Sequence, residues 1–355
     1  EIGVRLVGSE MCIRDRPTIA AIANEANVSP ATVSRVINHR NLVNESTIQQ
    51  VEDAMLRLGI AVNEKKKINN EKKVILFSRE TGNTTFYDQI CKGILKSTQA
   101  NGYHLIVNYD SINRGNIGDF IMLLKRANVS GLILSSFLSE DLLDALNAVV
   151  PIVQCCEFNE NSSIPYVSID DYNASRQATR YLITSGRNKI AFINGPQNQH
   201  YAKERLRGFL DTIYEDGISI PSSWIAHVPS IDYNLAYTII CQILNSDIRP
   251  NAFFAVSDIL AAAAINACNR FHLRVPEDVM VMGFDNVDIC TMIRPSITTV
   301  SQPKFQLGYT ASEILIDLLH NSNTNARNLL LSTELIIRES ATSLGNEIAS
   351  PTSKT

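Results

Sequence analysis

The sequence predicts two fold classes in one chain: a small all-α helix-turn-helix domain, then an α/β domain of two doubly wound parallel-sheet subdomains. Three observations lead there. Residues 17–58 hold three short helical patterns separated by polar breaks. Asn63–Lys73, NEKKKINNEKK, carries five lysines and a single apolar residue, Ile68, and reads as a solvated boundary. Beyond it, short apolar runs of strand length alternate with amphipathic helical patterns, as parallel sheets covered on both faces require.

In the first domain Thr18 stands where it can cap a helix whose apolar face is Ile19, Ile22, Ala23 and Ala26. Asn27 and Val28 turn the chain. Ser29 is an N-cap followed by Pro30 at the first helical position, where a missing N–H costs nothing. The second helix is expected to turn Val33, Val36 and Ile37 inward and to leave Ala31, Thr32, Ser34 and Arg35 outside. A third helix, about Ser46 to Leu58, puts Ile48, Val51, Ala54, Met55 and Leu58 on one face, with Gly59 past its end.

The second domain reads strand by strand. Val74–Ser78 precedes a helix from Phe86 to Ala100, Leu105–Tyr109 a helix near Ile117–Ala127, and Gly131–Ser135 a helix through Leu142–Leu146. Ile152–Cys155 is the fourth strand. The pattern restarts with a helix near Ala174–Thr184, then Ile190–Ile193, a helix near Glu204–Glu215, Trp224–Val228, a helix near Leu235–Leu244, Ala252–Val256, a helix over Ile259–Phe271, and Val279–Gly283. A strand at Thr298–Ser301, a helix over Phe305–Leu319 and strands at Leu329–Leu331 and Glu334–Ile337 follow. Two such runs predict subdomains of about 74–170 with 300–326 and about 171–298 with 328–341, with a ligand cleft between them. The polar stretch 342–355 is expected to be a tail.

Composition bounds the function. A formal net charge of −4 over 355 residues argues against a general polyanion binder, and residues 17–73 alone carry a net of only +2. The seven cysteines show no C-x-x-C spacing and lie mostly in apolar runs, as free thiols do in a reducing compartment. No run of about 18 apolar residues predicts a membrane span. The six histidines are scattered without metal-ligand spacing, and neither G-x-G-x-x-G, a P-loop nor a G-x-S-x-G elbow occurs, so no cofactor and no metal is expected. Arg5–Asp15, RLVGSEMCIRD, reads like a translated sequencing adapter, so residues 1–16 are treated as a non-native leader; the alternative is a native N-terminal arm.

The segment VSPATVSRVIN with the following NESTIQQVEDAMLRLG resembles the lactose-repressor family of bacterial transcriptional regulators. The resemblance runs from Pro17 to Ala341 through ERLRGF, AVSD, LRVPEDVMVMGFDN, SITTVSQP and ELIIRES. Within the family, CEFNENSSIPYVSIDD and GFDNVDICTMIRPSITTVSQPKFQLG look most like the cytidine repressors. The resemblance implies a helix-turn-helix domain over 17–59, a hinge linker over 60–73 and a periplasmic-binding-protein-like effector and dimerisation domain over 74–341. It implies a cytoplasmic homodimer, not an enzyme, that binds double-stranded operator DNA and a small sugar or nucleoside effector. Relatives of other classes, a periplasmic-type binding protein or a nucleotide-binding enzyme, would lack VSPATVSRVIN.

Site residues follow from the resemblance, each with a chemical reason. Pro30, Ala31 and Arg35 fall at base-contacting positions, and Arg35 suits a bidentate guanine contact. Thr18, Ser29, Thr32 and Ser34 suit phosphate contacts, as does Lys66 in the linker. The alanine-arginine-serine-leucine hinge segment usual in the family is missing, leaving Ile68 as the residue able to wedge into a minor groove. In the cleft, Phe86 and Tyr87 are placed to stack on a ring, with Asp170, Arg205 and Asp285 at polar positions beside it. Gln199, Tyr201 and Ser257 occupy neighbouring variable positions. Glu157 stands where relatives offer a ring, and a carboxylate there could accept from an exocyclic amine. The plainer roles weighed beside these are core packing for Phe86, turn capping for Asp285, a structural ion pair for Arg205 and helix capping for Asp258.

Overall fold

A computed structural model describes residues 18–38, 43–58, 73–79, 84–320 and 328–342. The leader, the linker residues Lys66 and Ile68, and the tail beyond Thr342 lie outside the described residues. The chain divides between Glu71 and Lys72 into two compact units.

The smaller unit holds α1 (Ile19–Glu25), α2 (Pro30–Asn38) and α3 (Glu45–Arg57). Each start is fixed by a side-chain cap. Thr18 Oγ1 accepts from the Ala21 amide at 3.3 Å, Ser29 Oγ from Thr32 at 3.1 Å and Asn44 Oδ1 from Thr47 at 2.9 Å. Asn27 turns the chain with φ 51°, a left-handed conformation that Asn tolerates better than most residues. Ile22, Ala23, Ala26, Val33, Val36, Ile48, Val51 and Ala54 form the core. Two apolar expectations fail here. Ile19 is 47% exposed and Ile37 39%. Three helices this short close around a narrow stripe, and both residues fall on its rim.

The larger unit runs β1 (Lys73–Ser78), α4 (Thr84–Ala100), β2 (Tyr103–Asn108), α5 (Ile117–Arg126), β3 (Val129–Leu134), α6 (Glu140–Asn147), β4 (Ile152–Cys155), β5 (Tyr166–Ile169). It continues α7 (Asp171–Thr184), β6 (Ile190–Asn194), α8 (His200–Glu215), β7 (Ile225–His227), α9 (Tyr233–Leu244), β8 (Ala252–Ala255), α10 (Asp258–Arg270), β9 (Met280–Asp285). It closes with α11 (Ile289–Met292), β10 (Thr298–Ser301), α12 (Lys304–His320), β11 (Leu329–Leu331) and β12 (Glu334–Ile336). The first lobe is built on a parallel sheet of order β11-β5-β4-β3-β1-β2. The second is built on β12-β10-β9-β8-β6-β7, parallel except for the antiparallel pair β10–β12.

Three findings depart from the sequence reading. β5 was not expected: it is four residues long, with Tyr166 half-buried after Pro165 and only Val167–Ile169 fully buried. α8 starts at His200, one turn ahead of the expected Glu204, with Ala202 already buried in its first turn. Leu329–Leu331, assigned to the second subdomain, pairs instead with Val167–Ile169 of the first. A three-leucine strand carries no pattern that selects between two sheet edges. The chain therefore crosses between lobes after β5, between Ser301 and Lys304, and between β11 and β12.

The middle crossing delivers α12 onto α4, and glycines let the helices touch. A Cβ on Gly308 would collide with the Ile90 carbonyl, and one on Gly93 with the Phe305 carbonyl. Among the described residues the cysteines are free, with Cys155, Cys268 and Cys290 buried. No helix of these residues is long and apolar enough to cross a membrane.

Candidate functional site

The outer face of α2 is set by its N-terminal cap. Val33 and Val36 face the core, which leaves Pro30, Ala31 and Arg35 exposed and Thr32 and Ser34 half-buried. Thr32 Oγ1 lies 2.8 Å from Ser29 Oγ, so these two hydroxyls hold each other at the start of the helix. Arg57 on α3 pairs with Glu25 on α1 at 2.8 Å and fixes the third helix behind the other two. The result is a short helix presenting small residues and one arginine outward, the shape a major groove admits.

In the larger unit the second lobe's strands β8 and β9 end at one edge, and α7 and α8 begin there. Arg205, in the second turn of α8, is buried at this edge with 4% exposure. Its Nε donates to Asp171 Oδ1 at 2.7 Å and Nη1 to the Val256 carbonyl at 2.7 Å, while Asp285 Oδ1 lies 3.7 Å away. The guanidinium carbon stands 3.4 Å over the Phe284 ring centroid and 4.9 Å from that of Tyr201. Ion pairing plus ring stacking fixes the fork in one orientation.

Asp285 ends β9 with φ 104°, and Asn286 follows at 54°, both unusual for non-glycine residues. Gln302 Nε2 donates to the Asp285 carboxylate at 2.8 Å, and Lys304 Nζ donates to its main-chain carbonyl. Both partners come from the Ser301–Lys304 crossing, so this carboxylate is held by the hinge itself. Asp258 beside it accepts from Val287 N at 2.9 Å and Thr299 Oγ1 at 2.6 Å. Burial raises Asp258, with the neighbouring Asp285 charge adding to it; burial also raises Asp285, against the pull of Arg205 and Lys304. Asp171 is likewise raised by burial and partly restored by Arg205.

The predicted residues do not all meet. Glu157, Tyr201, Arg205 and Asp285 form a continuous chain of contacts. Asp170 instead caps α7, accepting from the Asn173 amide at 2.9 Å and its side chain at 2.7 Å. The adjacent Asp171 reaches Arg205 in its place; the doubled acid at a strand-to-helix junction was the signal for it. Gln302, Lys304 and Phe284 were also missed as site residues, although each stood in a quoted motif. Ser257 caps α10 through Ile259 N at 3.2 Å. Gln199 is buried just before α8. Phe86 is buried, edge-on to the half-buried Tyr87 at 5.2 Å, and Tyr87 Oη donates to the Ser135 carbonyl at 3.5 Å.

Glu157 is placed otherwise than expected. Its Oε2 accepts from the His200 amide at 2.8 Å and its Oε1 from the Tyr201 amide at 3.1 Å. Both oxygens are thus engaged by the first turn of α8. Burial pushes the carboxyl up to about 8, against the downward pull of the two amides.

Comparison with known proteins accords with both units. The model of bacterial regulatory proteins of the lacI family matches residues 18–63, and a periplasmic binding protein-like domain matches residues 179–341. The chain is 31% identical over 333 residues to the HTH-type transcriptional repressor PurR of Photobacterium profundum, covering 92% of this chain and 99% of that protein. It is 29% identical over 334 residues to the HTH-type transcriptional repressor CytR of Escherichia coli K12, covering 92% and 97%. The solved complex of the transcriptional regulator CelR with cellobiose aligns with a TM-score of 0.70 at 28% identity, covering 92% of this chain and all of that one.

Proposed function

The chain belongs to the LacI family of bacterial regulatory proteins, and from that premise we propose an effector-controlled repressor acting as a cytoplasmic homodimer on a near-palindromic operator. Two copies of α2 read the half-sites, with Pro30, Ala31 and Arg35 toward base edges and Thr18, Ser29, Thr32 and Ser34 toward phosphates. Lys66 adds phosphate contact from the linker, and Ile68 is its wedge. A nucleoside or sugar enters the cleft between the lobes, stacks on Phe86 or Tyr87 and bonds to Arg205 and Asp285. Gln199, Tyr201 and Ser257 line its surroundings. Ligand and operator affinities are then reciprocally coupled. No catalytic step and no cofactor belong to this reading.

The observation that carries it is the Arg205 fork stacked on Phe284 between Asp171 and Asp285, at the ends of parallel strands. A fixed guanidinium and a carboxylate each satisfy adjacent hydroxyls, and this edge is where doubly wound sheets bind ligands. A thermal-shift screen of nucleosides and sugars on the full chain should find a stabilising ligand. Gel shifts of a palindromic duplex should respond to that ligand in the wild type and lose the response in Asp285→Ala, with basal DNA binding kept. A variant that responds at wild-type ligand concentrations removes Asp285 from the site.

A further inference from the structure

α8 belongs to the second lobe, yet its first turn is held by loops of the first. Glu157, two residues past β4, accepts from the His200 and Tyr201 amides at 2.8 and 3.1 Å. Phe158 lays its ring 4.1 Å from that of His200, and Glu160 Oε1 lies 3.5 Å from His200 Nδ1. Phe137, just beyond β3, lies 5.6 Å beneath Lys203 Nζ. One turn later on the same helix stands Arg205. Five contacts, made by four residues in two loops of the first lobe, thus converge on the helix that carries the guanidinium of the second.

We propose that Glu157 is a positioning residue: an inter-lobe clasp that docks the start of α8 against the first lobe and thereby sets Tyr201 and Arg205 for the effector. The clasp rests on the reading of this cleft as the effector site. The first amides of a helix have no partner within it, so His200 and Tyr201 take theirs from across the cleft. These bonds exist only while the lobes are together, and parting them strips both amides of Glu157. Closure is therefore built partly from the protein's own carboxyl group, and Glu157 acts through α8 rather than by touching the ligand.

Amide hydrogen exchange on the effector-free full chain tests this directly, because those two amides owe their protection to Glu157 rather than to the helix. Glu157→Ala should speed exchange at His200 and Tyr201 by roughly two- to tenfold, the range of a lost hydrogen bond to a neutral acceptor. Segments in β1 and β6 should stay unchanged. Glu157→Gln keeps one acceptor oxygen and should give an intermediate rate. Should Glu157→Ala loosen the whole domain, Glu157→Gln decides alone: faster exchange confined to the start of α8 supports the clasp. Wild-type rates at His200 and Tyr201 in either folded variant overturn it. Titration with cytidine and with ribose separates the two readings. Failure of both to bind the wild type counts against those ligand classes, while the exchange result still decides the clasp.

Discussion

Arg35 is an exposed cation on α2 whose neighbours Pro30 and Ala31 are small enough to let the backbone approach a groove floor. Direct readout needs such a fork within reach of a guanine edge, whereas a phosphate contact needs only charge. Arg35→Ala should therefore cost about 1–3 kcal/mol on the operator and relax preference at one base pair. Equal losses on operator and random duplex in parallel gel shifts would reassign it to the phosphates. Asp170 and Asp171 show how one residue of offset decides a role. The first turns its carboxylate onto the following helix as a cap, and the second turns into the lobe and pairs with Arg205. The sequence showed an acidic pair at this junction; only the helix start determined which acid faced inward.

Among the elements, the α4–α12 pair ties the middle crossing to the body of the first lobe. Its closeness depends on Gly93 and Gly308, where a side chain would meet main-chain oxygen rather than a movable side chain. Backbone cannot step aside cheaply, so Gly308→Ala should destabilise the larger unit by about 1–3 kcal/mol, the usual cost of overpacking. Urea unfolding monitored at the domain transition measures this; an unchanged midpoint would mean the helices separate freely. Because α12 begins at Lys304, two residues past Gln302, the same variant should also disturb how Asp285 is held. Helices such as α4 and α12 were legible from their periodicity, as were most strands from their apolar runs. β5 and the first turn of α8 were not, since neither is long enough to carry a repeat of its own.

Over the whole molecule, the closed second lobe and its facing loop concentrate buried acids. Burial raises Glu157 to about 8 and also raises Asp171, Asp258 and Asp285 above the ordinary Asp value of 3.8. The folded chain thus keeps protons that the unfolded chain releases near pH 4. Stability from these groups is complete below that point and is lost as pH rises through the folded values, up to about 8. His227 and Lys304, both lowered by burial, pull the other way. The exposed acids with lowered values, Asp278 and Glu215 among them, act only below the ordinary carboxylate range. Thermal melts of the effector-free protein should show a falling midpoint from pH 5 to pH 8. A rising midpoint across that window would mean that the buried carboxylates are fully ionised in the fold.

What the sequence alone determined is what each segment does relative to itself. Caps at Thr18 and Ser29, the three-helix pattern, the alternation of strand and helix, and the strand-end position of Asp285 are all written within a few residues of one another, whereas the cap expected of Asp258 falls to Ser257 and leaves Asp258 to Val287 and Thr299. Tertiary structure decided the partners. It gave Glu157 to the amides of α8, Asp171 to Arg205, Leu329–Leu331 to the first sheet, and left Ile37 at the rim of its small core. The physical reason is range. Period and capping are fixed by backbone geometry over one or two turns, whereas a buried acid or a short edge strand takes whichever partner the packed lobes bring near, and that choice is made tens to more than a hundred residues away.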